Sequence, residues 1–248
     1  MKNTKNNSKI RFLDNSLLIN DEILVFSDFH IGYEEYLFGK YIPIRAQYDE
    51  VIKNLSEIFN LLEKEGTKIK EIVILGDLKH EFGEISDSEW KETLELIDYF
   101  LKKTKKIILI KGNHDNILGP IARKREVELK NYYIIDGISF LHGDKFYDEC
   151  KDCNIMVIGH LHPAVSLSDS YKKERFKCFL HGSWLKKEVY IIPSFVPLVF
   201  GYDFMDLNKL EKRFSFIDNK NLKKFEVIIY NKKENKDYNF GKLGKLIR

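Results

Sequence analysis

Short apolar runs recur along the first two-thirds of the chain, and each stops at residues able to bind a metal or move a proton. EILVFSDFH carries Ile23–Phe26 into Asp28 and His30, and EIVILGDLKH carries Ile72–Leu75 into Asp77 and His80. IILIKGNHD carries Ile107–Ile110 into Asn113, His114 and Asp115. ISFLHGD ends at His142, and NIMVIGHLHP carries Ile155–Ile158 into His160 and His162. Unbroken Ile/Val-rich runs of this length suit strands buried on both faces. Two stretches between them keep helical spacing instead. Gln47–Glu65 is apolar at 51, 52, 55, 58, 59, 61 and 62, and Ser88–Lys103 at 90, 94, 96, 97, 100 and 101. Asp87 or Ser86 offers an N-cap, and Gly66 a C-terminal stop.

Strand, helix, strand, helix, strand predicts crossover units on a largely parallel sheet, and ligands of such sheets collect outside the carboxyl ends of the strands. The polar clusters stand at those ends. The second half has runs at 132–135, 138–141, 177–181, 188–192, 213–217 and 225–230 with little helix between them. That pattern predicts an antiparallel second sheet packed on the first. With no linker or repeat in view, residues 1–248 are expected to form one domain, the basic segment 218–248 included.

Six of the seven histidines, at 30, 80, 114, 142, 160 and 162, fall in the strand-end clusters. In Asp28-x-His30 and His160-x-His162 the partners stand two apart, so extended backbone would send both side chains off one face toward one ion. Imidazole, carboxylate and amide oxygen suit Mn, Fe or Zn, and the absence of cysteine from the set argues against a structural zinc site. Six or seven ligands exceed one ion. Two ions about 3.5–4 Å apart, bridged by a carboxylate, fit the count and are a common arrangement for cutting phosphate esters.

Asp28-x-His30, Gly76-Asp77-x-x-His80, Gly112-Asn113-His114-Asp115, His142-Gly143 and Gly159-His160-x-His162 stand in the order of the calcineurin-like metallophosphoesterases, which this chain resembles. His80 three residues after Asp77, the short length and the later IIPSFVPLVFG (191–201) are most similar to the small SbcD-related branch. The resemblance implies an α/β fold: a four-layer αββα sandwich of two mixed β-sheets. It implies that Asp28, His30 and His162 hold the first ion, that Asn113, His142 and His160 hold the second, and that Asp77 bridges them. His114 would be the general acid or charge stabiliser, Asp115 would orient it, and His80 and Asn113 would position the substrate phosphate. The expected cofactor is two divalent ions, manganese first, with iron, zinc or nickel as alternatives. Such ions would lower the pKa of a shared water and neutralise phosphoryl charge.

The expected activity is therefore a metal-dependent phosphoesterase, with diesters preferred over monoesters. An SbcD-like nuclease on DNA or RNA and a non-catalytic scaffold on the same fold are the alternatives. The partner is a phosphate ester, a nucleotide or nucleic acid included. The large nucleases of the branch dock on an ATPase through extra C-terminal domains, whereas about thirty residues follow 217 here, holding the predicted strand Phe225–Tyr230. That partnership is not expected.

Composition adds bounds. A charged fraction of 32% against 44% hydrophobic excludes a disordered chain. No apolar run approaches the roughly 20 residues of a membrane span, and MKNTKNNSK lacks a signal peptide's apolar core, so a cytoplasmic location is expected. Three cysteines make no disulfide framework, and the lone C-x-x-C of Cys150 and Cys153 reads as two ordinary cysteines rather than a zinc or redox pair. Net charge is +3, but residues 209–248 carry a surplus of seven positive charges. This basic end could meet a phosphate backbone, although a solvated surface is the favoured reading. Arg45 could grip a phosphate or form a surface ion pair, His181 reads as a pocket wall or structural residue, and PSFVPL as cleft wall or core.

Overall fold

The apolar runs become the strands of two stacked sheets. The computed structural model describes residues 8–39, 45–81, 83, 85–168, 172–209 and 215–247. In the first sheet β1 (Ile10–Leu13), β2 (Ser16–Ile19), β3 (Ile23–Phe26), β4 (Glu71–Ile74), β5 (Lys106–Ile110) and β6 (Glu128–Lys130) are hydrogen-bonded in that order. β3 to β6 run parallel, as crossover helices require. β1 and β2 add an antiparallel edge that the helix-strand alternation does not reveal.

Four helices accompany this sheet: α1 (Tyr33–Phe38), α2 (Ala46–Lys64), α3 (Asp87–Leu101) and α4 (Leu118–Lys124). Ser86 caps α3, its hydroxyl accepting from the Glu89 N–H at 3.1 Å, which contributes about 1 kcal/mol. Gly66 ends α2 in the left-handed region at φ +71°. Leu24, Phe26, Ile72, Ile74, Ile107 and Leu109 pack against Val51, Leu55, Leu62, Ile97 and Phe100 of α2 and α3. The alternate residues Val25, Val73, Ile108 and Ile110 face the second sheet. Both faces are therefore covered, and the runs are apolar throughout because each such side chain gains about 1.5–3 kcal/mol on burial.

The rest of the chain supplies β7 (Tyr132–Ile135), β8 (Ile138–Leu141), β9 (Ile155–Ile158), β10 (Pro163–Ser168) and β11 (Lys173–Lys177). It continues with β12 (Phe179–Trp184), β13 (Lys187–Ile191), β14 (Tyr202–Asp203), β15 (Glu226–Asn231) and β16 (Lys236–Lys242). Seven of these form the second sheet in the order β16-β15-β12-β13-β9-β8-β7, and β11-β10-β14 form a small third one. The expected antiparallel pairing holds for β7–β8, β12–β13, β12–β15 and β15–β16, but is corrected at the centre, where β8, β9 and β13 run parallel. Their connections, residues 142–154 and 159–186, are long enough to cross over without a long helix. Of the expected strand 213–217, residues 213 and 214 lie outside the described residues, and 215–217 form no strand.

The outer face of the second sheet, including Leu141, Met156, Ile158, Leu180 and Val189, packs on Phe204, Leu207, Ile217, Leu222 and Leu243. These come from the 3-10 segment Phe204–Lys209, from Ile217 just before the next helix, and from the short helices Asn219–Leu222 and Leu243–Leu246. The fold is the expected four-layer α/β sandwich of two mixed sheets, with long helices on one outer face and short ones on the other. β15 and β16 extend the second sheet, so the basic C-terminal segment is part of it. Among the described residues no helix is long and apolar enough to cross a membrane.

Candidate metal centre

The carboxyl ends of β3, β4 and β5 meet those of β8 and β9, and the polar clusters converge there. Asp28, His30 and His162 offer ligand atoms that lie within 4.8 Å of one another, and so do Asp77, His142 and His160. In the first group His162 Nε2 is 3.3 Å from His30 Nε2 and 3.2 Å from Asp28 Oδ1. In the second, His142 Nε2 is 3.0 Å from both His160 Nδ1 and Asn113 Oδ1 and 3.4 Å from Asp77 Oδ2. The groups are contiguous at one oxygen: Asp77 Oδ2 is also 3.8 Å from His30 Nε2.

The backbone that achieves this is not the extended one the spacing suggests. Asp28, His30, Asp77, His160 and His162 all have φ between +42° and +64°. A non-glycine residue there costs about 1–2 kcal/mol, so the surroundings must hold it. Because the turn follows each strand end at once, His160 and His162 diverge into different groups instead of chelating together. Nor does the turn leave room for side chains at the motif glycines. A Cβ on Gly159 would strike the Ser27 hydroxyl, and one on Gly112 the Asp77 carboxylate and N–H.

Buried side chains from outside the motifs hold the strained segments. Gln47 Nε2 donates to the His30 and Phe29 carbonyls at 2.7 and 3.2 Å. Ser27 Oγ donates to Asp28 Oδ2, which also accepts from the His160 N–H at 3.0 Å. Glu89 Oε1 accepts from the N–H groups of His80 and Glu81. Lys79, fully buried, donates to the carbonyls of His114, at 2.7 Å, and Glu81. Gln47, Lys79 and Glu89 carry no spacing signal, since each works through backbone atoms brought close only by the fold.

His80 and His114 lie beside the first group, with His80 Nδ1 3.4 Å from His30 Nδ1 and the His80 and His114 rings stacked at 5.2 Å. The His114 Nδ1–H donates to the His80 carbonyl. Nε2 is thus the nitrogen turned to the cluster, 4.0 Å from Asp77 Oδ2. The Asp115 carboxylate accepts from the N–H groups of Gly112 at 3.0 Å and Lys79 at 3.4 Å. Arg45 takes the ion-pair alternative, binding Glu92 at 2.9 Å and Glu95 at 2.5 Å on α3. His181 stands apart, bonded to Glu188 Oε1 at 3.0 Å and stacked on Tyr190 at 4.4 Å. Phe195 of PSFVPL is core, 5.2 Å from Phe26 and 4.9 Å from Phe29. All three cysteines are free and buried.

Charge decides what the cluster can host. Burial opposes ionisation of Asp28, but the His162, His142 and His30 imidazoles outweigh it and hold the carboxyl below the usual range. Asp77, likewise buried, is drawn down to about 2, chiefly by His142. Burial and the neighbouring imidazoles push His30 well down, and burial with His142 takes His160 to about 4. His142 moves the other way, to about 10, because its carboxylate neighbours outweigh burial. Two carboxylates in a pit of close-set imidazoles make a host for cations. Asp28 Oδ1 is buried without a hydrogen-bond donor, as a metal ligand would be. Ligands bonded at about 2.1 Å around one ion stand about 3.0–3.4 Å apart, the spacing of most of these atoms. The residues present fit a pair of divalent ions.

The sequence model of the calcineurin-like phosphoesterase family matches residues 22–223. The chain belongs to that family. Among solved structures, the Pseudomonas putida nuclease MPE shares the fold, with a TM-score of 0.58 at 17% identity over 90% of this chain and 96% of that one. A Vps29 single mutant from Entamoeba histolytica matches at 15% identity and TM-score 0.38, over 88% and 97% of the two chains. A predicted phosphoesterase from Streptococcus pneumoniae matches at 14% and 0.32, over 88% and 96%. No curated protein matches the chain. As a calcineurin-like phosphoesterase, the chain belongs with hydrolases of phosphate esters that use divalent metals.

Proposed function

We propose that this calcineurin-like phosphoesterase hydrolyses phosphodiesters at a two-ion centre formed by Asp28, His30 and His162 on one side and Asn113, His142 and His160 on the other, with Asp77 shared. The observation that carries this reading is the position of Asp77 Oδ2, 3.4 Å from His142 Nε2 and 3.8 Å from His30 Nε2, one oxygen within reach of both groups. Two divalent ions bound there, manganese first among them, would supply an activated water and offset charge on the phosphoryl oxygens. The chain's own contribution is the rest. Asp28 and Asp77 hold the cations by charge, and Asn113 adds a neutral oxygen. His114, its Nδ1–H fixed on the His80 carbonyl, offers Nε2 to the leaving oxygen as proton donor. His80 lines the same side and helps position the phosphate.

Manganese-loaded protein should cleave an aryl phosphodiester faster than the monoester. His114→Ala should slow turnover on the order of 10²–10⁴-fold while both ions stay bound. Full metal loading with no hydrolysis of any diester, monoester, cyclic or polymeric substrate would establish the scaffold alternative.

A second reading, an SbcD-like nuclease, is favoured by exposed rings at the rim. Tyr36, 65% exposed, stands 5.0 Å from the His80 ring, and Tyr202, 48% exposed, 6.3 Å from His162. Such rings can stack the bases of an unpaired strand. The similarity to a protein named a nuclease points the same way.

A further inference from the structure

Lys177 closes β11, more than a dozen residues from any motif of the site. Its backbone belongs to the segment that follows His162: Lys177 pairs with Ala164 of β10, and the next N–H, of Cys178, donates to the Pro163 carbonyl at 3.0 Å. Its side chain reaches elsewhere, with Nζ donating to the carbonyls of Ser194 at 2.7 Å and Val196 at 2.5 Å. Ser194, Phe195 and Val196 form a buried segment without regular structure. Two N–H groups of that segment have their own partners. Phe195 donates to the Ser27 carbonyl at 2.9 Å and Val196 to the Asp28 carbonyl at 3.2 Å. Buried carbonyls need donors as much as buried amides need acceptors, and the lysine supplies both missing ones.

We infer that Lys177 is a positioning residue for the first ion site, a strut that ties the strap Ser194–Val196, and through it Asp28, to the paired strands β10 and β11 that follow His162. This rests on the two-ion reading above. Asp28 and His162 approach from different sheets, each in a left-handed backbone conformation. The strap bonds to the Asp28 carbonyl directly, and the lysine joins that strap to β11, which pairs with β10. Groups that orient metal ligands from behind change affinity about 10–100-fold when removed.

The test is titration of the metal-free protein with Mn²⁺, resolving both binding steps, in wild type, Lys177→Met and Lys177→Gln, with Phe225→Leu as a control for lost core packing. Lys177→Met is expected to weaken one step about 10–100-fold and the other less than threefold, and the weakened step is the one abolished in His162→Ala. Lys177→Gln, which keeps a donor, should fall between Met and wild type, and it decides the matter if the Met variant does not fold. Phe225→Leu should lower the melting temperature and leave both affinities alone. Unchanged affinities in Lys177→Met, or in Lys177→Gln should the Met variant not fold, overturn the strut. Equal weakening of both steps overturns it too. Wild type that binds fewer than two Mn²⁺ overturns the two-ion reading instead.

Discussion

The strand ends of the two sheets furnish unlike halves of the metal centre. The first sheet supplies Asp28, Asp77 and Asn113, every oxygen donor of the proposed set, with His30, whereas the second supplies His142, His160 and His162, imidazoles only. Each group draws on both sheets. Their outer faces differ as well: α2 and α3 cover the first sheet with long, regular helices, while 3-10 turns and four-residue helices cover the second. The charge that attracts the cations thus resides on the better-braced half. The imidazoles that complete each site must be brought to it by docking of the other sheet, which makes ligand geometry and sheet packing one problem.

The sharpest way to break this comparison is to remove the shared oxygen. Asp77→Ala should cost on the order of 10³-fold or more in diesterase rate and reduce bound manganese below one per chain, read by elemental analysis beside the kinetics. A variant that still holds two ions would show that the halves meet without Asp77. A smaller effect separates the two second-sheet histidines. His160→Ala and His162→Ala should each lose one ion, and in double variants with Asp28→Ala the loss should be non-additive for His162 and nearly additive for His160. The reverse pattern would reassign the two rings.

The smallest effect concerns Lys177 at the junction of the halves. Burial lowers its pKa from 10.5 to about 7, with Asp14 and Asp28 opposing the shift. Between those values the unfolded chain binds a proton the folded chain does not, so stability rises with pH across that window; the cost of the buried charge is fully present below pH 7. Urea melts of wild type and Lys177→Gln from pH 6.5 to 9.5 should show wild type gaining on the variant by a fraction of about 1.4 kcal/mol per pH unit. A difference that stays flat with pH would mean that the ammonium keeps its charge when buried.

Much of the fold and nearly all of the candidate ligands were legible in residue order, because two-sided burial writes itself as unbroken runs such as Ile72–Leu75 and Ile155–Ile158. Strand polarity in the second sheet was not, since β8, β9 and β13 look the same in sequence whether neighbours run parallel or antiparallel. The spacing of His160 and His162 misled for a related reason: alternation presumes extended backbone, and tertiary hydrogen bonds hold these residues at positive φ instead.

By itself the sequence determined the strands and long helices that carry the site, and that their polar ends hold carboxylates and imidazoles. Only the tertiary structure decided that Asp115 accepts from backbone N–H groups, that Arg45 forms an ion pair, and that Gln47, Lys79, Glu89 and Lys177 bond to backbone groups around the centre. The physical reason is the range of the forces involved. Burial and backbone propensity act on neighbours along the chain and leave a periodic trace, whereas a buried amide or ammonium answers to whichever carbonyl the completed fold brings within 3 Å, and that partner has no fixed distance in sequence.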